Sequence, residues 1–168
     1  VNSVNHAPVA IELTQGIFTI VDREWYEMLN SVYWRAHFSK SDGKYRAITS
    51  IPGEPGKSLL MHRLILDVTD INIDVDHINR NPLDNRGINL RIATRSQNMR
   101  NQPQRRGTSS KYKGVSLLKG TKWRARAKDK NGKELHIGTF LKEVDAAIAY
   151  NKYVKDNFGE FAYLNIIE

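Results

Sequence analysis

Residues 75–101 read VDHINRNPLDNRGINLRIATRSQNMRN, and the rest of the chain is best read outward from them. Its apolar side chains include Val75, Ile78, Ile88, Leu90 and Ile92. Asn79, Asn81, Asn85, Asn89, Asn98 and Asn101 stand among them. Short polar side chains around a few apolar anchors describe a site built on loops rather than a core element. Asp76 and His77 fall near the end of the apolar run IDVDHI (73–78). Neighbours on a strand face opposite sides. At a strand end they can instead diverge around one substrate, the carboxylate binding a metal ion and the imidazole taking a proton. Phosphodiester hydrolysis needs those two roles. An oxygen-ligated divalent ion neutralises the phosphate and the leaving oxygen, and a neutral imidazole activates the water. A further group must hold the imidazole in one tautomer, and an asparagine carbonyl can do so. Asp-His pairs also occur as plain surface or turn residues. Asn81 and Asn85 read as turn formers whose side chains bond the local backbone. Arg91 and Arg95 could hold phosphates, or simply solvate the start of a helix.

In the order DH, NPLDN, NLR and S-x-N, this stretch resembles the HNH nuclease motif, most closely that of homing endonucleases of phages and their relatives. The resemblance implies a ββα-metal core: two short strands and a helix around one ion. Asp76 and Asn98 would be the metal ligands, His77 the general base, and Asn89 the residue that orients His77. The cofactor implied is a divalent cation, magnesium first and manganese second. The motif often closes on histidine, where this chain has Asn98. HRLIL at 62–66 also matches that branch, although a lone histidine in an apolar element reads first as a satisfied core residue.

Upstream, residues 1–57 predict a small α/β support unit. Ile11 and Leu13, then Phe18 and Ile20, alternate as half-buried strands do. Asp22 is placed to cap a short helix, DREWYEMLN, with Trp25, Met28 and Leu29 on one face. Val32, Trp34, Ala36 and Phe38 alternate with polar neighbours, Asp42-Gly43 turns the chain, and a strand from Tyr45 to Ile51 completes a hairpin. PGEPG at 52–56 is a break. SLLMHRLIL at 58–66 is apolar but leaves its element type open, and it opens a nuclease core over 58–101. The support unit carries no legible chemistry, so Trp25, Tyr33 and Trp34 read as core.

Downstream, QPQRRGTSSK (102–111) has no large apolar side chain and reads as a basic, exposed linker. In 112–168, YKGVSLL, KWRARAKD and ELHIGTF are strands and KEVDAAIAYNKYVKDNF is a helix ended by Gly159. Val144, Ala147, Ile148, Val154 and Phe158 form its apolar stripe. Trp123, Ala125 and Ala127 share one sheet face with Leu135 and Ile137. Arg124, Arg126 and Lys128 share the other with Glu134, His136 and Gly138. Aligned cations repel unless a polyanion neutralises them, and DNA would do so with release of counterions. Strand arginines can also fork onto guanine edges in the major groove. A solvated sheet face is the plainer alternative. YKGV, KWRARAK, IGTF, DAAIAYN and Leu164-Asn165 resemble the plant ethylene-response-factor, or AP-two, DNA-binding domain. The resemblance implies a three-stranded antiparallel sheet laid in the major groove with one helix behind it. Ser116 and Arg126 depart from the family pattern, so the plant target sequence does not carry over.

Charge divides the chain in the same sense. Residues 1–98 hold 11 basic and 11 acidic side chains, whereas 107–168 hold 12 and 7, and Arg100, Arg105 and Arg106 lie between. A neutral front and a basic back point to a polyanionic partner, although solubility alone also favours net charge. Cysteine is absent, which excludes disulfides and cysteine zinc sites. No apolar run is long enough to cross a bilayer. VNSVNHAPVA lacks a basic n-region, so a cytoplasmic, intracellular protein in a phage or bacterial setting is expected.

The combined expectation is an α+β protein acting as a site-specific HNH endonuclease on double-stranded DNA, nicking one strand as a monomer. Its DNA contacts would be Arg91, Arg95, Arg100, Arg105 and Arg106, with Lys113, Ser116, Lys122, Arg124, Arg126, Lys128 and His136 from the sheet. The alternatives are a DNA-binding regulator with a degenerate nuclease site and an RNA-binding module. The basic sheet has no exposed aromatic pair for stacking unpaired bases, which counts against the last.

Overall fold

The structure, a computed structural model, describes residues 7–104 and 107–168. Arg105 and Arg106 lie outside the described residues. The chain divides into two compact units, Val1–Arg95 and Ser96–Glu168. Both are mixed α and β, and every sheet is small and antiparallel.

In the first unit, β1 (Pro8–Glu12) and β2 (Phe18–Asp22) form a hairpin followed by α1 (Arg23–Asn30). Strands β3 (Arg35–Ser39), β4 (Lys44–Ser50) and β5 (Ser58–Leu60) form a meander. The undecided apolar stretch resolves into β5 and a short helix, α2 (Met61–Ile65). Then β6 (Asp74–His77) pairs with β7 (Leu90–Ala93). The next helix, α3 (Arg95–Asn101), starts at the last residue of this unit, and the rest of it belongs to the second. A single apolar cluster runs from Ile11, Val21 and Leu29 through Trp34 and Met61 to Val75 and Leu90. Residues on both sides of position 57 therefore share one core, so the expected support unit and the nuclease strands pack as one body. Trp34 is buried and its Nε1 donates to Leu29 O at 2.8 Å. Trp25 packs against the cluster, but Tyr33 is 74% exposed and is not a core residue.

The alternation in β2 has the opposite phase to the one its apolar residues suggest. Phe18 and Ile20 are exposed, whereas Thr19 and Val21 are fully buried. The register sets Thr19 opposite Ile11 and Val21 opposite Val9. The Ile20 backbone bonds across to the 83–85 loop, so the neighbouring polar residue turns inward. Asp22 occupies the N-cap position of α1 without capping it. Its Oδ2 instead accepts from Gly87 N at 2.7 Å.

In the second unit, β8 (Val115–Leu117), β9 (Trp123–Lys128) and β10 (Glu134–Phe140) form a sheet in the order β10-β9-β8, packed on α4 (Glu143–Phe158). Ala125 of β9 and Ala146 and Ala147 of α4 are fully buried and let backbone approach backbone. Gly114 is required at its position. Its φ is +76°, and a Cβ there would lie 2.1 Å from the Tyr150 ring. Tyr150 thus joins the buried face of α4, and the face rotates away from Ile148, which is 51% exposed. A register shift between His136 and Gly138 moves Gly138 opposite Ala125 on the helix side, off the arginine face on which simple alternation placed it. The expected exposed linker is not exposed throughout. Ser110 is buried, its hydroxyl donating to Glu143 Oε1 at 2.6 Å and accepting from Tyr112 N at 3.0 Å.

Candidate active site around His77

The β6–β7 ladder pairs Asp76 with Arg91 and His77 with Leu90. Cross-strand partners share a face, so the carboxylate and the imidazole leave opposite sides of the ribbon. Asp76 is 3% exposed, and its Oδ2 accepts from Arg91 Nε at 2.9 Å and Nη2 at 2.6 Å. Arg91, expected on phosphate, is engaged with the carboxylate instead.

The asparagines divide the work of holding the loop between the strands. Asn89 accepts from Asn79 N at 2.8 Å and donates to Asp84 O at 2.7 Å, stitching the loop's two ends together. Asn79 donates to Asp84 Oδ2, and Arg86 forks onto both oxygens of Asp84, each contact at 2.7 Å. That guanidinium holds the Asp84 carboxyl below its ordinary pKa. Asn81 behaves as the sequence suggests, its Oδ1 accepting from Leu83 N at 3.1 Å.

Asn85 does not behave as a turn former. It is fully buried, and its Oδ1 lies 3.0 Å from His77 Nε2. The side-chain carbonyl beside the imidazole is therefore that of Asn85, while Asn89 bonds the loop backbone. Asn85 Nδ2 donates to Thr19 Oγ1 at 2.8 Å and points toward Met61 Sδ at 3.7 Å. The Thr19 hydroxyl donates to Leu83 O at 2.8 Å. The backbone locks the same contact from both sides, Ile20 N to Leu83 O at 2.8 Å and Asn85 N to Ile20 O at 2.7 Å. Neither Asn85 nor Thr19 was singled out from sequence as a site residue. The signal for Asn85 was its place in NPLDN, and Thr19 was hidden by the misread phase of its strand.

The His77 ring also meets the edge of His62, with centroids 4.9 Å apart and planes at 84°. His62 is buried, and desolvation followed by its proximity to His77 lowers its pKa to about 3. Burial likewise lowers the pKa of His77, against the opposing pull of its bond to Asn85 and the charge of Asp76. Both imidazoles are neutral at neutral pH, the form in which one can accept a proton.

The expected metal ligands do not fall in one unit. Asp76 lies in the first, whereas Asn98 is half-buried on α3 and belongs to the second. Among the described residues no group of three or more His, Cys, Asp or Glu side chains could hold a metal ion. A carboxylate and an amide oxygen are each, by their chemistry, donors of the kind a hard cation accepts.

The expected DNA contacts vary in availability. Arg95, Lys122, Lys128 and His136 are exposed. Arg126 pairs with Glu134 at 3.0 Å, and Thr139 Oγ1 lies 3.4 Å from His136 Nε2. Arg100 lies over the Phe158 ring at 4.2 Å. Lys113 Nζ donates to the carbonyls of Arg100 and Gln102 at 2.7 and 2.5 Å, a C-terminal cap on α3 rather than an outward cation. Ser116 and Arg124 stand opposite each other on β8 and β9. Ser116 Oγ and Arg124 Nε are both buried without a hydrogen-bond partner.

Residues 70–100 match the family profile described as HNH endonuclease. Over that segment the chain is similar to HNH endonucleases. The curated match is an uncharacterized HNH endonuclease of Acanthamoeba polyphaga mimivirus, 40% identical over 97 residues, or 58% of this chain and 49% of that protein. The chain thus spans about half the length of the relative it matches. No solved structure matches the chain. Among the described residues no helix is long and apolar enough to cross a membrane.

Proposed function

We propose that this protein is a metal-dependent, site-specific DNA endonuclease of the homing type that nicks one strand of duplex DNA as a monomer. The observation that carries the reading is His77. It is a neutral, nearly buried imidazole at a strand end, adjacent in sequence to a carboxylate, with one ring nitrogen already tied to Asn85. Residues 74–101 supply β6, β7 and α3 in the order a ββα-metal core needs. Asp76 and Asn98 would hold the divalent ion, magnesium or manganese. Bound there, the ion would neutralise charge on the phosphate and the leaving oxygen. His77 takes the proton of the attacking water, Asn89 holds the loop that carries it, and Arg91 orients Asp76.

Recognition is assigned to the second unit. A three-stranded sheet backed by one helix, as the AP-two likeness implies, presents Arg124 and Ser116 on the face away from the helix, with the Arg124 Nε still unpartnered. The test is nicking of supercoiled plasmid by the purified protein with magnesium or manganese, against a chelator control. Metal-dependent conversion to open circles is the expected result.

A second reading has one observation in its favour. The Arg91 guanidinium already balances the charge of the Asp76 carboxylate. A DNA-binding regulator with a degenerate site would keep that ion pair and bind DNA without cutting it under any divalent metal.

A further inference from the structure

We propose that Thr19, on the N-terminal hairpin and outside the segment that matches the nuclease family, is a positioning residue that fixes the tautomer of His77 through Asn85. A threonine hydroxyl has one hydrogen. Here it is directed at Leu83 O, so Oγ1 can only accept from Asn85. That demand fixes which end of the Asn85 amide faces Thr19. Nδ2 must point to Oγ1, with Met61 Sδ as the second acceptor, and Oδ1 must point to His77. A carbonyl oxygen cannot donate, so His77 must carry its hydrogen on Nε2. Nδ1 is then the unprotonated nitrogen, the one a general base would use.

The polarity of the chain, from Leu83 O through Thr19 and Asn85 to His77, is set entirely by the protein. Asn85 is fully buried, so water cannot replace a lost partner cheaply. The alternative arrangement, with the amide turned over, would face Nδ2 to the imidazole and force the hydrogen onto Nδ1. Thr19 is what stands between the two. The hairpin that carries it is tied to the same loop by two backbone hydrogen bonds, so the hydroxyl and the amide keep their register. The use of Nδ1 as the base rests on the nuclease reading; the tautomer itself is a property of the DNA-free protein.

The test is long-range 1H–15N correlation of the imidazole rings in the full, 15N-labelled chain, at about pH 8 where free histidine is neutral. His77 is assigned by its loss in His77→Gln. The wild type should show the Nε2–H pattern. Thr19→Val, which keeps the shape and removes the hydroxyl, should populate the Nδ1–H pattern, and Thr19→Ser should return the wild-type one. In the cleavage assay Thr19→Val should lose about 10- to 100-fold in kcat, a part of what a general base contributes, with KM for DNA little changed. An Nδ1–H pattern in the wild type, or an unchanged Nε2–H pattern in a folded Thr19→Val protein, overturns the proposal. Should Thr19→Val not fold, the wild type and Thr19→Ser decide: Nδ1–H in either overturns it, and Nε2–H in both supports it. If the rings respond as expected but no variant, wild type included, cuts DNA, the nuclease reading fails and the positioning role of Thr19 stands.

Discussion

Arg91 places Nε and Nη2 on a single oxygen of Asp76, at 2.9 and 2.6 Å, across the β6–β7 ladder, with both side chains nearly buried. Removing the cation from such a pair leaves a carboxylate in low dielectric with nothing to balance it, which costs about 3–5 kcal/mol. Arg91→Ala should therefore lower the melting temperature clearly in metal-free buffer. If Asp76 is a metal ligand, millimolar magnesium or manganese should recover part of that loss, because a cation that binds only the folded state stabilises it. Equal melting with and without metal in the variant would count against Asp76 as a ligand.

His77→Ala should abolish nicking while duplex binding stays within a few-fold. A general base contributes about 10²–10⁴-fold in rate and little to ground-state affinity. Gel-shift and plasmid-nicking assays on the same preparation separate the two effects, and near-normal cutting would remove His77 from the chemistry.

The sequence was most legible where chemistry and pattern coincide. Asp76, His77 and the strand that carries them were readable because a polar pair interrupts an apolar run, and β9 was readable because its arginines alternate with alanines. The reading failed where one polar residue had to turn inward. Phe18 and Ile20 claimed the buried face of β2 by hydrophobicity, yet Thr19 occupies it, because its hydroxyl is satisfied by Leu83 O and Asn85. Asn85 escapes sequence pattern for the same reason, since turn preference says nothing about a buried amide with tertiary partners. Ile148 and Gly138 were misplaced by regular geometry that a bulge and the Tyr150–Gly114 contact shift.

Stability should fall with acid across a window set by His62. Its pKa drops from 6.5 to about 3 on folding. Between those values the unfolded chain holds a proton that the folded chain does not, so stability rises with pH through the window and is lost on acidification below 6.5. One such group gives at most about 1.4 kcal/mol per pH unit. His77 shifts in the same direction and adds to the slope. His62→Gln should flatten the denaturant-midpoint profile between about pH 4 and 6 by roughly one proton's worth. A profile as steep as that of the wild type would show that His62 does not carry the effect.

The two arginines at the centre of β9 should differ in what they do on DNA. Arg126 already shares its charge with Glu134, and both side chains are substantially exposed. Such a pair contributes little to the fold and can be traded for a phosphate. Arg124 has a buried Nε with no partner and stands beside Ser116, whose hydroxyl is likewise unsatisfied. Unpaired buried donors are costly, and a base edge or a bridging water in the groove would relieve both. Arg124→Ala should cost about 1–3 kcal/mol on the preferred site and relax preference at one position. Arg126→Ala should weaken all sequences alike and reduce the salt slope by about 0.9 for the one phosphate lost. The comparison should be made in the whole chain. A fragment beginning at residue 107 would discard the Arg100 side chain that lies over Phe158 and the α3 carbonyls that Lys113 caps. If isolation is needed, a fragment starting at Ser96, where the second compact unit begins, is the sounder choice. Reversed behaviour, with Arg126 carrying the sequence preference and Arg124 only the salt dependence, would mean that the reading face is centred two residues further along β9, toward the turn into β10.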